Sequence, residues 1–182
     1  MTHAVPPSVP FAWSAHPRSG WAFWWRWVLA TNVGWFPGIV LGTWLAQPLA
    51  ESTPTLAAVA AGAVAGLCFG ATQAFALRAT LPTPLAWWLA TALGWPLGIG
   101  AARLLLDALG VDTQPLLDTM LTGFIAGGCV GLPQARLLPP SRGARQWPWV
   151  SAISWGLLFP GALAGLWLVL SWRAPDDRTH AK

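Results

Sequence analysis

Long apolar runs alternate with short polar breaks along this chain. No Asp, Glu, Lys or Arg occurs from Trp27 to Ala50, Ser52 to Leu77, Ala79 to Ala102, Thr119 to Ala135 or Gln146 to Trp172. A helix needs about 20 apolar residues to cross the hydrocarbon core of a bilayer, with a range of roughly 17–25. The runs therefore predict five transmembrane helices near 27–46, 55–77, 85–106, 117–137 and 148–170. Pro37, Pro96, Pro133 and Pro160 fall inside these runs. Each predicts a kink, because Pro removes a backbone donor and clashes one turn back. A bilayer helix tolerates this when its neighbours re-satisfy the freed groups.

The pattern also repeats. Trp27, Thr31, Gly34, Trp35 and Gly38 spell W-x3-T-x2-G-W-x2-G, and Trp87, Thr91, Gly94, Trp95 and Gly98 spell it again 60 positions later. A worn third copy reads Trp147, Ser151, Ser154 and Trp155, with Leu158 where Gly would stand. Between these copies runs G-x3-G-x3-G-x2-Q-x3-L, as Gly62, Gly66, Gly70, Gln73 and Leu77 and again as Gly123, Gly127, Gly131, Gln134 and Leu138. Self-similarity at a fixed period marks a repeat architecture. The expected fold is an all-α transmembrane five-helix bundle of about two and a half parallel two-helix repeats, near 21–80, 81–140 and 141–172. Residues 1–20 and 173–182 read as flexible tails around an integral membrane domain at 21–172. The first run is too long for a signal-peptide core, and more runs follow it.

Charge changes the picture by giving it a direction. Only 9% of residues are charged, whereas soluble domains carry about 25%. On the five-crossing reading, the N-terminal tail and the loops at 78–84 and 136–146 share a side. That side holds Arg18, Arg26, Arg78, Arg136, Arg142 and Arg145 and no acid. Lys and Arg in short loops favour the cytoplasm, so the N-terminus is expected inside and the C-terminus outside. The C-terminal tail opposes this with Arg173, Arg178 and Lys182. A re-entrant rather than crossing fifth segment would remove the conflict. Trp21, Trp24, Trp25, Trp27, Trp87, Trp88, Trp147 and Trp149 sit at the expected cytoplasmic ends, where indole favours the interface. Arg103, at the end of the third helix, is expected to snorkel and to pair with Asp107 at i+4.

Two layers follow from depth at 1.5 Å per residue. Thr31, Gln73, Thr91, Gln134 and Ser151 form a candidate polar layer. Polar groups in hydrocarbon need partners, so the plain reading is inter-helix glue and the sharper one a polar binding site or the mouth of a path. Glue is preferred, because amides and hydroxyls make poor proton relays. The next layer holds Trp35, Trp95 and Trp155, bracketed by Gly66, Gly70, Gly127 and Gly131. Gly at every fourth position clears a helix face for close approach, so indole against that face is a packing layer. An apolar cleft with indole walls is the alternative. Asn32 has no counterpart in the other copies and reads as a helix-pairing device or a site peculiar to this chain.

Candidate chemistry is sparse. His3, His16 and His180 all lie in the tails, and Asp118 stands at the edge of the fourth helix. Cys68 and Cys129 occupy one repeat position at mid-membrane depth without the further ligands a metal needs. No catalytic, metal-binding or cofactor-binding residue is assigned, and no cofactor is expected. The few basic residues cluster at membrane edges, which argues against nucleic acid.

The alternation of the two motifs, ending in L-R at Leu77–Arg78, resembles that of a loose set of uncharacterised bacterial multi-pass membrane proteins. The likeness covers nearly all of 21–170, and the chain departs from it at Pro139, where the first copy has Arg78. The resemblance implies a multi-pass fold and no transferable chemistry. The expectation is a small, non-catalytic protein of the bacterial cytoplasmic (inner) membrane, structural or accessory. It is embedded in the lipid bilayer, and its unpaired half-repeat is capped by a second copy or another membrane protein. The alternative is a channel or facilitator for a small neutral or lipophilic solute. A membrane enzyme acting on lipids ranks third.

Overall fold

The computed structural model describes residues 20–110, 114–140 and 142–173; most of both tails lies outside the described residues. Among the described residues the chain forms six helices: α1 (Gly20–Ala50), α2 (Pro54–Leu77), α3 (Pro84–Leu109), α4 (Pro115–Ala135), α5 (Arg142–Gly156) and α6 (Pro160–Arg173). Four of them, α1 to α4, are long and apolar enough to cross a membrane, as in a multi-pass membrane protein. Local sequence explains the boundaries. Pro opens α2, α3, α4 and α6, where its missing N–H would be unpaired anyway. Gly110 closes α3 at φ 59°, the left-handed conformation that Gly adopts at least cost. Pro37, Pro96 and Pro133 lie inside continuous helices.

The expected fifth span is instead two helices, so the five-helix count gives way to six. Leu158 takes φ 60°. Its N–H donates to Trp155 O at 3.1 Å, and the Phe159 N–H donates to Ser154 O at 3.0 Å. This pair of bonds is the Schellman closure of a helix end, with Leu in the position usually held by Gly. Pro160 then starts a new helix rather than kinking the old one. The chain reverses here. Trp147, near the start of α5, and Trp167, late in α6, have ring centroids 5.8 Å apart.

Helix packing is cyclic. Each helix touches its sequence neighbours, and α6 returns to α1. Along α6, Gly161 faces Val28 and Asn32, and Gly165 faces Trp24 and Trp27. Hence α6 runs back toward the end of the bundle where α1 began. The odd helix expected to be left without a partner is paired: α5 has α6 beside it, and α6 closes the ring.

Close backbone approach seals the seams. A Cβ on Gly38 would lie 2.9 Å from Ala65 Cα, and one on Gly94 would lie 2.9 Å from Val130 Cα. Two buried clusters fill the ring. One surrounds Trp27, Trp87 and Trp147, and the other Phe69, Trp95 and Trp155.

Candidate functional site

The candidate polar layer is brought together as two matched networks. Gln73 on α2 donates from Nε2 to Thr31 Oγ1 at 3.2 Å, and Trp87 on α3 donates from Nε1 to Gln73 Oε1 at 3.2 Å. Sixty residues on, Gln134 donates to Thr91 Oγ1 at 2.9 Å, and Trp147 donates to Gln134 Oε1 at 2.9 Å. Thr91 in turn donates to Trp87 O at 2.9 Å. All these side chains are buried. Each amide thus accepts once and donates once, tying three consecutive helices. In a low-dielectric interior such bonds rigidify a core. Ser151 is buried on α5, where its Cβ packs against Gly131, but no Gln donates to it among the described residues.

Trp27, Trp87 and Trp147 are not interface anchors. They are 1%, 0% and 1% exposed and meet at the ring's centre. Trp27 and Trp87 lie 6.0 Å apart, Trp27 and Trp147 6.4 Å, and Trp87 and Trp147 5.7 Å. Trp21, Trp25 and Trp149 are the exposed ones at that end. The signal for the difference lay in the recurrence: Trp27, Trp87 and Trp147 open the repeated motif, and the others do not recur at all three positions.

The second candidate layer also converges. Trp155 lies 4.2 Å from Trp95 and 6.2 Å from Trp35, with Phe69 5.0 Å away. The glycines divide their work between layers. A Cβ on Gly66 would lie 3.2 Å from Trp95 Cβ, and one on Gly127 2.9 Å from Trp155 Cβ. Gly70 instead faces Thr91 and Trp88, and Gly131 faces Pro148 and Ser151, so these two belong to the polar layer. Indoles thus plug the centre of the ring at two depths.

Other singled-out residues are placed as follows. Arg103 pairs with Asp118 across the α3/α4 seam, at 2.9 and 2.8 Å to its two carboxylate oxygens, rather than with Asp107. One guanidinium nitrogen, Nη1, donates to both oxygens, a charge-assisted contact that ties α3 to α4. Asn32 donates to Val28 O at 2.8 Å within its own helix. It borders α6, with its Nδ2 3.1 Å from where a Cβ on Gly161 would stand. Cys68 and Cys129 are free thiols, packed against Gly38 and Gly98 respectively. Among the described residues no group of three or more His, Cys, Asp or Glu could hold a metal.

At the opposite end from the Trp27 layer, an open groove of about 650 Å³ runs between α1 and α2, lined by Ile39, Thr43, Trp44, Gln47, Ala58 and Ala61 among others. Its walls are mainly apolar, as in a lipid-facing surface. No family model, curated protein or solved structure matches the chain.

Proposed function

We propose that this chain is a non-catalytic, structural or accessory component of a bacterial cytoplasmic membrane, built from three hairpins of one ancestral design. The observation that carries this reading is the pairing of every side chain in two sectors of the polar layer. Thr31, Gln73 and Trp87 bond to one another, as do Thr91, Gln134 and Trp147, which leaves them as fasteners between helices. Two levels of clustered indole, tilted against one another at the centre, fit a packed core better than a conduit.

Charge supports an orientation with the start of α1 and the end of α6 on the cytoplasmic side. With α6 running back, Arg26, Arg78, Arg136, Arg142, Arg145 and Arg173 share one end. Arg103 stands at the other end with Glu51, Asp107 and Asp118. Among the described residues six of the seven basic ones lie at the first end, the kind of bias that sets membrane orientation.

The accessory role predicts a neighbour. The third hairpin is short, and α1 makes no contact with α4. From Phe36 to Trp44, α1 exposes Phe36, Val40 and Trp44. A second copy or another membrane protein would seat there. In-membrane crosslinking from a photoreactive residue at Val40 tests this. A specific adduct is expected, and a protein that stays monomeric in both membranes and mild detergent would overturn the idea. The facilitator reading draws on the groove beside Thr43 and Gln47. It predicts solute flux in proteoliposomes that Gln73→Leu and Gln134→Leu alter.

A further inference from the structure

The ring has three sectors, and two of them are wired alike: Trp87 to Gln73 to Thr31, and Trp147 to Gln134 to Thr91. In the third, α1 supplies Trp27, α5 supplies Ser151, and α6 stands between them. The register of α6 is readable. Gly161, Ala164 and Leu168 repeat the spacing of Gly70, Gln73 and Leu77 and of Gly131, Gln134 and Leu138. Packing agrees: Leu77, Leu138 and Leu168 are buried in one cluster, together with Ala164 and Trp27. Ala164 therefore occupies the glutamine position.

The consequence falls on Trp27. It is 1% exposed, and its Nε1 is buried with no hydrogen-bond partner, although both counterparts are paired. Its N–H edge faces α6, because a Cβ on Gly165 would lie 2.5 Å from Trp27 Cδ1, the atom bonded to Nε1. Ser151 is 3% exposed. Trp35 and Trp95 also bury indole N–H groups without a partner among the described residues, but Trp27 differs in standing where both repeat counterparts are paired, and a bare N–H in hydrocarbon costs several kcal/mol.

We propose that the third sector is a binding site for one water molecule, held between Trp27 and Ser151 beside Ala164. The carboxamide in the other sectors accepts one hydrogen bond and donates one. Alanine can do neither, whereas water does both: it accepts from Trp27 Nε1–H and donates to Ser151 Oγ. Alanine also gives up the volume of a carboxamide, and a buried water needs only about 10–15 Å³ of probe-occupied space and two or more polar partners. The site lies in the seam between the first and last helices.

The test is proton-detected NMR on ¹⁵N-tryptophan-labelled full-length protein in lipid nanodiscs, with W27F, W87F and W147F assigning the indole signals. The Trp27 N–H is expected to show a water cross-peak, and those of Trp87 and Trp147 none. Ala164→Gln should abolish that cross-peak and move the Trp27 signal toward its two counterparts. Ser151→Ala removes the acceptor of the water's hydrogen without adding bulk, and should weaken the cross-peak at least several-fold. A wild-type Trp27 N–H with no water contact overturns the proposal. So does a Ser151→Ala protein whose cross-peak is undiminished, whether or not Ala164→Gln folds.

Discussion

The indoles of Trp147 and Trp167 lie 5.8 Å apart although twenty positions separate them. A continuous helix of that length would hold them roughly 30 Å apart. The end of α6 has thus come back to the start of α5, so the two are expected on one side of the membrane. With Cys68 and Cys129 replaced by Ala, an impermeant maleimide should label Arg173→Cys and Arg26→Cys from one face and Glu51→Cys from the other. Labelling of Arg173→Cys together with Glu51→Cys would mean the last segment crosses.

Gln73 serves two helices at once, and its removal should show it. Gln73→Leu strands the N–H of Trp87 in a buried site and is expected to destabilise the protein by about 1–3 kcal/mol in reversible unfolding in detergent. Adding Trp87→Phe removes the stranded donor, so the double variant should cost less than the sum of the singles. Strict additivity would mean that the bond between them contributes nothing.

Glycines three positions apart should behave oppositely. A Cβ on Gly131 would lie 2.8 Å from Pro148 Cα, whereas one on Gly128 meets nothing closer than Ala152 Cβ at 3.8 Å. Gly131→Ala should therefore push α5 off α4 and cost about 1–3 kcal/mol. Gly128→Ala should be neutral or stabilise by up to about 1 kcal/mol through helix propensity. Thermal melts of the two variants side by side decide the matter, and equal behaviour would contradict the α4/α5 packing.

Leu158 sits at φ 60° with its side chain 43% exposed, so it strains the backbone without anchoring the core. The left-handed conformation costs a non-glycine residue about 1–2 kcal/mol. Leu158→Gly should raise stability by about 1 kcal/mol. A loss instead would show that the chain does not reverse through this residue.

Much of this architecture was legible before any coordinates, because bilayer physics writes it into spacing. Thr31, Gln73, Thr91 and Gln134 could be placed at one depth by counting residues from the flanking Arg and Trp, and the amides do bond those threonines. What depth could not supply was azimuth. Trp27 and Trp25 sit at nearly the same height, yet one is buried at the centre and the other exposed. Only the 60-residue recurrence separates them. The break at Leu157–Phe159 was hidden for a different reason: the run from Gln146 to Trp172 is uncharged throughout, and hydropathy cannot tell one crossing from a half-depth return. The tail basics and the pair Pro160–Gly161 were the traces of it. Ala164 is hard to read from sequence because this copy keeps only Gly161 and Leu168 of the motif, with Ile153 and Leu157 in place of its first two glycines.

The last hairpin also bears on how the molecule is made. Helices α5 and α6, of 15 and 14 residues, are each shorter than the roughly 17–25 residues that span hydrocarbon. Neither offers the insertion machinery a full-length anchor, so their burial must await a ready-made wall. That wall includes α1, which α6 packs against. Ring closure joins segments well over a hundred residues apart in sequence, contacts that are formed late and slowly. Without α5 and α6 the remaining helices form a four-helix arc, α1 to α4, whose Trp27 flank lacks the cover that α6 gives it.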